Sequence, residues 1–326
     1  MKGVKSFGSP GRALTAVVIV TLAFLGGASS AWAAAKIKVV TVTTDLAALA
    51  KAVGGDRVEV ESLMRGYQDP HTVEVKPSYM MKLRKADLFI KVGLDFELWS
   101  PVIVDGSRNP KIFPGTQGYL DASRGVEILE VPTARMDRSM GDIHLYGNPH
   151  YWQDPLNGKV ILENIMNALI RISPDEADYF RRNKEAYAKK IDEALQRWLS
   201  MMEPYRGTKV VTYHSSWPNF AKRFGLQIVG FIEPKPGVPP SPSYILSLIE
   251  KMKREGVKII IMEPYFQQDT PRLVAEKTGA RIVVLPPSVG GEKGADDYIA
   301  LFDHNLGKLI TAFKEAGVKP EASARR

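Results

Sequence analysis

Residues 173–203 constrain the fold of this 326-residue chain more than any other stretch. Phe180, Tyr187, Ile191, Leu195, Trp198 and Met202 recur there at the period of an amphipathic helix. Ser173, Pro174 and Glu176 read as an N-cap, a first-turn proline and the far half of a capping box, and Pro204 ends the run. About thirty helical residues extend about 45 Å, the length of a whole domain, where an ordinary helix is about a third as long. Such a helix either lies along a surface or forms a rigid spine between two lobes, and its mid-chain position favours the spine.

On both sides of it, strands and helices alternate. Strands are expected over 36–43, 57–63 and 86–92, with helices over 45–53 and 77–85. After Gly207, strands are expected over 209–212, 227–231, 257–262 and 281–285, with helices over 218–224, 243–255, 270–278 and 296–313. This alternation implies an α/β fold built from βαβ units around mainly parallel sheets. Ligands of such sheets bind beyond the carboxyl ends of the strands. Residues 114–149 read as a long connection. The expected organisation is an N-terminal lobe over 36–172, the linking helix over 173–204, a C-terminal lobe over 207–318 and a disordered tail over 319–326.

The first 33 residues read as a signal peptide rather than as part of the fold. Lys2, Lys5 and Arg12 form a basic start, Ala13 to Leu25 is apolar, and Ala31-Trp32-Ala33 offers the small residues of a cleavage site. Without them the formal charge falls from +8 to +5, with no long basic run, so nucleic-acid binding is not indicated. There is no cysteine. That excludes disulfides, thiolate ligands and the acceptor of a lipid anchor, and points to a freely diffusing periplasmic protein.

Three of the five histidines lie in similar short contexts at strand-to-helix junctions. They are His71 in Asp69-Pro70-His71, His150 in Asn148-Pro149-His150-Tyr151-Trp152, and His214 in Tyr213-His214-Ser215-Ser216. The acidic pair Asp296-Asp297 follows 82 residues after His214, behind a glycine-rich loop. Two candidate ligands from each half of the chain suggest a metal gripped between lobes, and imidazole with carboxylate suits zinc first. Asp296 is the expected fourth ligand; Glu263, which also ends a strand, and Asp297 compete with it, and Asp296 could instead cap a helix. His144 reads as exposed or as an auxiliary contact in its loop. His304 reads as a surface or structural hydrogen-bonder, and Trp152 and Trp217 as packing that keeps the site dry.

In these motifs the chain resembles the metal-specific solute-binding proteins of bacterial ABC importers for zinc and manganese. The resemblance runs through nearly the whole chain after the leader. It rests on Asp69-Pro70-His71 with Lys76-Pro77-Ser78, on Gly93-Leu94 with Glu97-Leu98-Trp99, and on Gly147-Asn148-Pro149-His150-Tyr151-Trp152 with Asp154-Pro155. Tyr213-His214 with Phe224-Gly225-Leu226, and Asp296-Asp297-Tyr298 with His304-Asn305-Leu306, complete it. It implies two α/β lobes joined by one long helix, a metal in the cleft held by His71, His150, His214 and Asp296, and delivery of that metal by a monomer to an inner-membrane permease. Manganese-type members tend to have a carboxylate where this chain has His214. Many zinc-type members have a histidine-rich loop, of which this chain has only Asp142-Ile143-His144.

The reading is therefore a periplasmic zinc-binding protein and not an enzyme, with Zn2+ as the transported ligand. A manganese-specific protein of the same kind is the alternative. A zinc hydrolase would need an open coordination position and a general base, for which Glu263 could serve, but no compact hydrolase motif is present. An adhesin or a metal buffer without a permease is a further alternative.

Overall fold

The computed structural model describes residues 1, 3–6, 8, 35–133 and 144–318. The expected leader lies almost wholly outside these, as do the tail 319–326 and the pair Asp142-Ile143. Two four-stranded, all-parallel sheets organise the rest. The first contains β1 (Ile37–Thr41), β2 (Val58–Ser62), β3 (Leu88–Lys91) and β4 (Tyr119–Asp121), in the order β2-β1-β3-β4. The second contains β5 (Lys209–Thr212), β6 (Gln227–Phe231), β7 (Ile259–Met262) and β8 (Arg281–Val284), in the order β6-β5-β7-β8. The orders are equivalent, so the two halves share a topology that their sequences do not display. In each sheet the chain leaves the first strand for a neighbour on one side and then crosses to the other. The carboxyl ends of the first three strands thus converge at one switch point.

The helices follow the expected positions closely: α1 (Thr44–Gly54), α2 (Pro77–Arg84) and, with no forecast, α3 (Ser100–Ser107) and α4 (Pro155–Ile172). Then come α5 (Ala177–Met202), α6 (Pro218–Phe224), α7 (Pro242–Glu255), α8 (Asp269–Thr278) and α9 (Tyr298–Glu315). The spine is α5. Its capping box does not form, because Ser173 already ends α4: its backbone N–H donates to the Leu169 carbonyl, and its side chain makes no cap bond. A single 3-10 turn, Pro174–Glu176, separates the two helices. Helix α5 spans 26 residues, about 39 Å. Phe180, Ile191, Leu195, Trp198 and Met202 are buried along it, as the period requires.

Helix α5 packs on α1 and α4 of the first lobe and on α6 and α9 of the second. One apolar core therefore runs through both lobes, from Val39, Leu49 and Ile90 through Trp198 to Phe220, Phe302 and Phe313. Two smaller clusters fill the far faces of the sheets, one around Phe89 and Leu83 and one around Ile260 and Met252. Polar ties cross between the lobes beside this core. Thr44 Oγ1 donates to the Val289 carbonyl at 2.7 Å, and Val289 N–H donates to Asp45 Oδ1 at 2.9 Å. Trp152 Nε1 donates to the Pro287 carbonyl at 3.0 Å, and Arg223 grips Asp154 with two bonds of 2.7 Å. Among the described residues no helix is long and apolar enough to cross a membrane.

Candidate metal centre

Three imidazoles, from the connections that follow β2, β4 and β5, come together. One ligand nitrogen from each of His71, His150 and His214 lies within 4.8 Å of the others. The ring centroids stand 5.4, 5.1 and 5.6 Å apart. Three imidazoles sharing a zinc at the usual Zn–N distance would have centroids roughly 5.2 Å apart, so the rings are spaced to share one ion.

Two of them are delivered by the same local device. After β2 the chain reaches Asp69, whose Oδ1 accepts the His71 N–H at 2.9 Å, and a 3-10 turn over Pro70–Thr72 follows. After β4, Asn148 Oδ1 accepts the His150 N–H at the same 2.9 Å, ahead of a 3-10 turn over Tyr151–Gln153. In both, an Asx side chain closes a turn two residues ahead and proline fixes the backbone between. His214 arrives differently, two residues past the end of β5, where its carbonyl accepts Thr212 Oγ1 at 2.8 Å.

The surroundings of the rings differ as well. His150 Nδ1 lies 3.2 Å from Asn148 Oδ1, a neutral amide whose own Nδ2 donates to Glu130 and Ser215. Among the described residues the His71 ring has a hydrogen-bond contact at His150 Nε2, 3.4 Å away. Burial pushes both far below the usual imidazole range, and the neighbouring rings add to the shift. His214 is as buried as His150, but its Nδ1 lies 2.9 Å from Glu233 Oε2. Burial opposes its charge, yet the bond to Glu233 and the charges of Glu263, Glu233 and Asp69 outweigh it and raise its pKa.

Apolar rings seal the cluster. Phe96 stands edge-on to His71 at 5.4 Å and to His150 at 5.7 Å, and touches Trp152 at 5.3 Å. It sits at the end of a turn with three successive positive φ angles: Gly93 (87°), Leu94 (53°) and Asp95 (60°). Left-handed backbone at two non-glycine residues costs energy that surrounding contacts must offset, and such strain gathers at functional sites. Buried Glu97 pins the turn by accepting the Gly93 N–H at 3.0 Å. Phe266 covers the far side, 6.0 Å from His214.

The structure does not bring Asp296 into the group. Asp296 is exposed in the turn before α9, outside the set of mutually close ligand atoms. Its neighbour Asp297 is the N-cap, accepting the N–H groups of Ile299 and Ala300 at 2.9 and 2.8 Å, so the capping role belongs to Asp297. Glu263 is fully buried, its Oε1 accepting Trp217 Nε1 at 3.1 Å, and burial raises its pKa to about 7. His144 stands nearer than an exposed loop residue would: its ring is 5.3 Å from that of His71, and burial lowers its pKa to about 4. His304 is remote from the cluster and pairs with Glu292 at 3.1 Å. Sequence reasoning missed Phe96, Asn148 as a ring partner, and Glu233. A carboxylate two residues past a strand end was the available signal for Glu233.

The model of the family described as zinc-uptake complex component A, periplasmic (ZnuA) matches residues 39–312. The manganese ABC transporter substrate-binding lipoprotein PsaA of Streptococcus pneumoniae is 27% identical over 306 residues, which is 90% of this chain and 94% of that one. The iron-binding protein YfeA of Yersinia pestis is 27% identical over 290 residues, or 86% and 87% of the two chains. The crystal structure of ZnuA superposes with a TM-score of 0.71 at 23% identity, covering 85% of this chain and 99% of that one, which is a likeness of fold. Matched over most of its length, the chain belongs to the zinc-uptake complex component A family, whose members are solute-binding transport proteins rather than enzymes.

Proposed function

We propose that this protein captures a zinc ion in the periplasm, after loss of the leader, and delivers it as a monomer to the permease of an ABC importer. His71, His150 and His214 are its ligands. The observation behind this reading is the convergence of three imidazole nitrogens within 4.8 Å, from three separate junctions on two lobes. An all-nitrogen set favours zinc over manganese, which lies at the weak end of the divalent series and prefers oxygen donors. The relatives named for manganese and iron make this a matter for measurement.

The fourth position belongs to a water or to a carboxylate that closes in with the ion. Asp296 takes it only if the turn ahead of α9 moves inward. No bond of the ion's is broken or made by chemistry in this reading: the ion is cargo, and release is driven by docking. Competition titration of the purified protein with a chromophoric chelator is the test. One zinc per chain, bound more tightly than manganese, is expected; preferred manganese binding would overturn the zinc assignment.

A further inference from the structure

We propose that Glu233 is a positioning residue of this centre, holding His214 with its proton on Nδ1 so that Nε2 faces the ion. The inference rests on the reading of His71, His150 and His214 as ligands and names the residue on which the third of them depends.

Strands β5 and β6 pair in parallel, Lys209 with Gln227 and Val210 with Ile228. The register then slips: Val211 pairs with Gly230 and Thr212 with Phe231, leaving Val229 as an extra residue on β6. Pairing continues past the strand ends, with Ile232 N–H donating to the Thr212 carbonyl and Glu233 N–H to the Tyr213 carbonyl, both at 2.8 Å. Glu233 is thereby carried alongside His214. Without the bulge, Ile232 would stand opposite His214, and an apolar side chain would face Nδ1. A one-residue bulge re-aims side chains in this way and is common beside functional sites. Gly230 belongs to the same arrangement, since a Cβ there would fall 2.8 Å from Leu248 Cδ1.

The chemistry follows from the contact. A carboxylate can only accept, so a 2.9 Å approach of Glu233 Oε2 to Nδ1 places the ring proton on Nδ1 and frees Nε2. A carboxylate behind an imidazole also raises its donor strength toward a metal. Among the described residues neither of the other two rings has such a partner: His150 faces the amide of Asn148 and His71 faces His150. Of the three donors, His214 is the one whose tautomer and basicity are set by a charge.

Zinc and manganese affinities of the purified protein and of its Glu233→Ala, Glu233→Gln and His214→Ala variants provide the test, with long-range nitrogen NMR on the zinc-loaded protein. Glu233→Ala should weaken zinc about 10- to 100-fold. Glu233→Gln, whose amide oxygen can still accept from Nδ1, should lose only about threefold. The zinc-to-manganese ratio should fall in Glu233→Ala, because manganese depends less on imidazole basicity; a general packing defect would lower both affinities together and leave the ratio unchanged. In the wild-type protein the NMR should show Nδ1–H and a metal-bound Nε2 on His214. A metal-bound Nδ1, or a Glu233→Ala variant that binds zinc as the wild type does, would overturn the role of Glu233 while leaving the site standing. If His214→Ala also kept wild-type affinity, the ligand reading itself would fall.

Discussion

The two lobes contribute imidazoles of opposite character. The first lobe supplies His71 and His150 on matching Asx-Pro-His turns, with no carboxylate bonded to either ring among the described residues, and burial holds both well below the usual imidazole range. The second supplies His214, also buried but backed by Glu233 and within the field of Glu263 and Asp69, so that it holds a proton more tightly than a free imidazole. A metal must find deprotonated ligands. The first lobe therefore offers a pair biased toward the metal-binding neutral form, and the second a ligand biased toward its protonated form.

Removing a ligand from either lobe should have the largest effect. His71→Ala, His150→Ala and His214→Ala should each weaken zinc by about a hundredfold or more, taking a structural zinc site's free energy as shared among its ligands. Equal losses from both lobes would show that all three coordinate; a near-neutral His71→Ala, the least buried of the three, would break the pairing of the first-lobe turns. A pH titration of affinity sharpens the comparison next. As pH falls through the raised pKa of His214, zinc must displace one proton, and affinity should drop about tenfold per unit. The groups facing that ring are Glu233, Glu263 and Asp69, which hold the proton, and His71, His144 and His150, which oppose it. The slope should steepen only in more acid solution, where the first-lobe rings begin to protonate. Calorimetric release of two protons per zinc near neutrality would contradict the contrast between lobes.

Smaller effects test the periphery. His144→Ala should weaken zinc less than about tenfold, since its ring adjoins His71 but its nitrogens stand outside the close group. The least effect is expected from the adjacent acids at α9. Asp297→Ala should lower stability by about 1 kcal/mol through loss of the cap, with zinc affinity unchanged. Asp296→Ala should change affinity less than any histidine variant. A loss as large as that of His150→Ala would mean that the turn swings inward around the ion and that Asp296 is the fourth ligand after all.

Much of this was legible from residue order, for identifiable reasons. Strands β1 to β3 and β5 to β8 are short β-branched runs bounded by glycine or helix signals, and all seven fall where local pattern puts them. The three histidines were visible because each interrupts such a pattern at a strand-to-helix junction. Helix α4 went unforeseen: its start, Asp154-Pro155, sits inside the histidine motif, and its end shares Ser173 with the signals that announce α5. The choice between Asp296 and Asp297 was open because both are good caps and only the backbone decides which side chain meets the first amides. The pairing of Glu233 with His214 depends on a single extra residue in β6, and a slip of register leaves no mark in hydrophobic periodicity.

The apolar core that passes unbroken through both lobes along α5 has a consequence for how the molecule melts. Two lobes sharing one core lose their packing together, so thermal unfolding should appear as one cooperative transition rather than two. An ion that binds between the lobes then protects the entire chain by mass action, not merely the cleft. In a cell, the loaded and empty forms would differ in how often any part of the molecule is exposed to proteases, which makes the cargo a determinant of the carrier's lifetime.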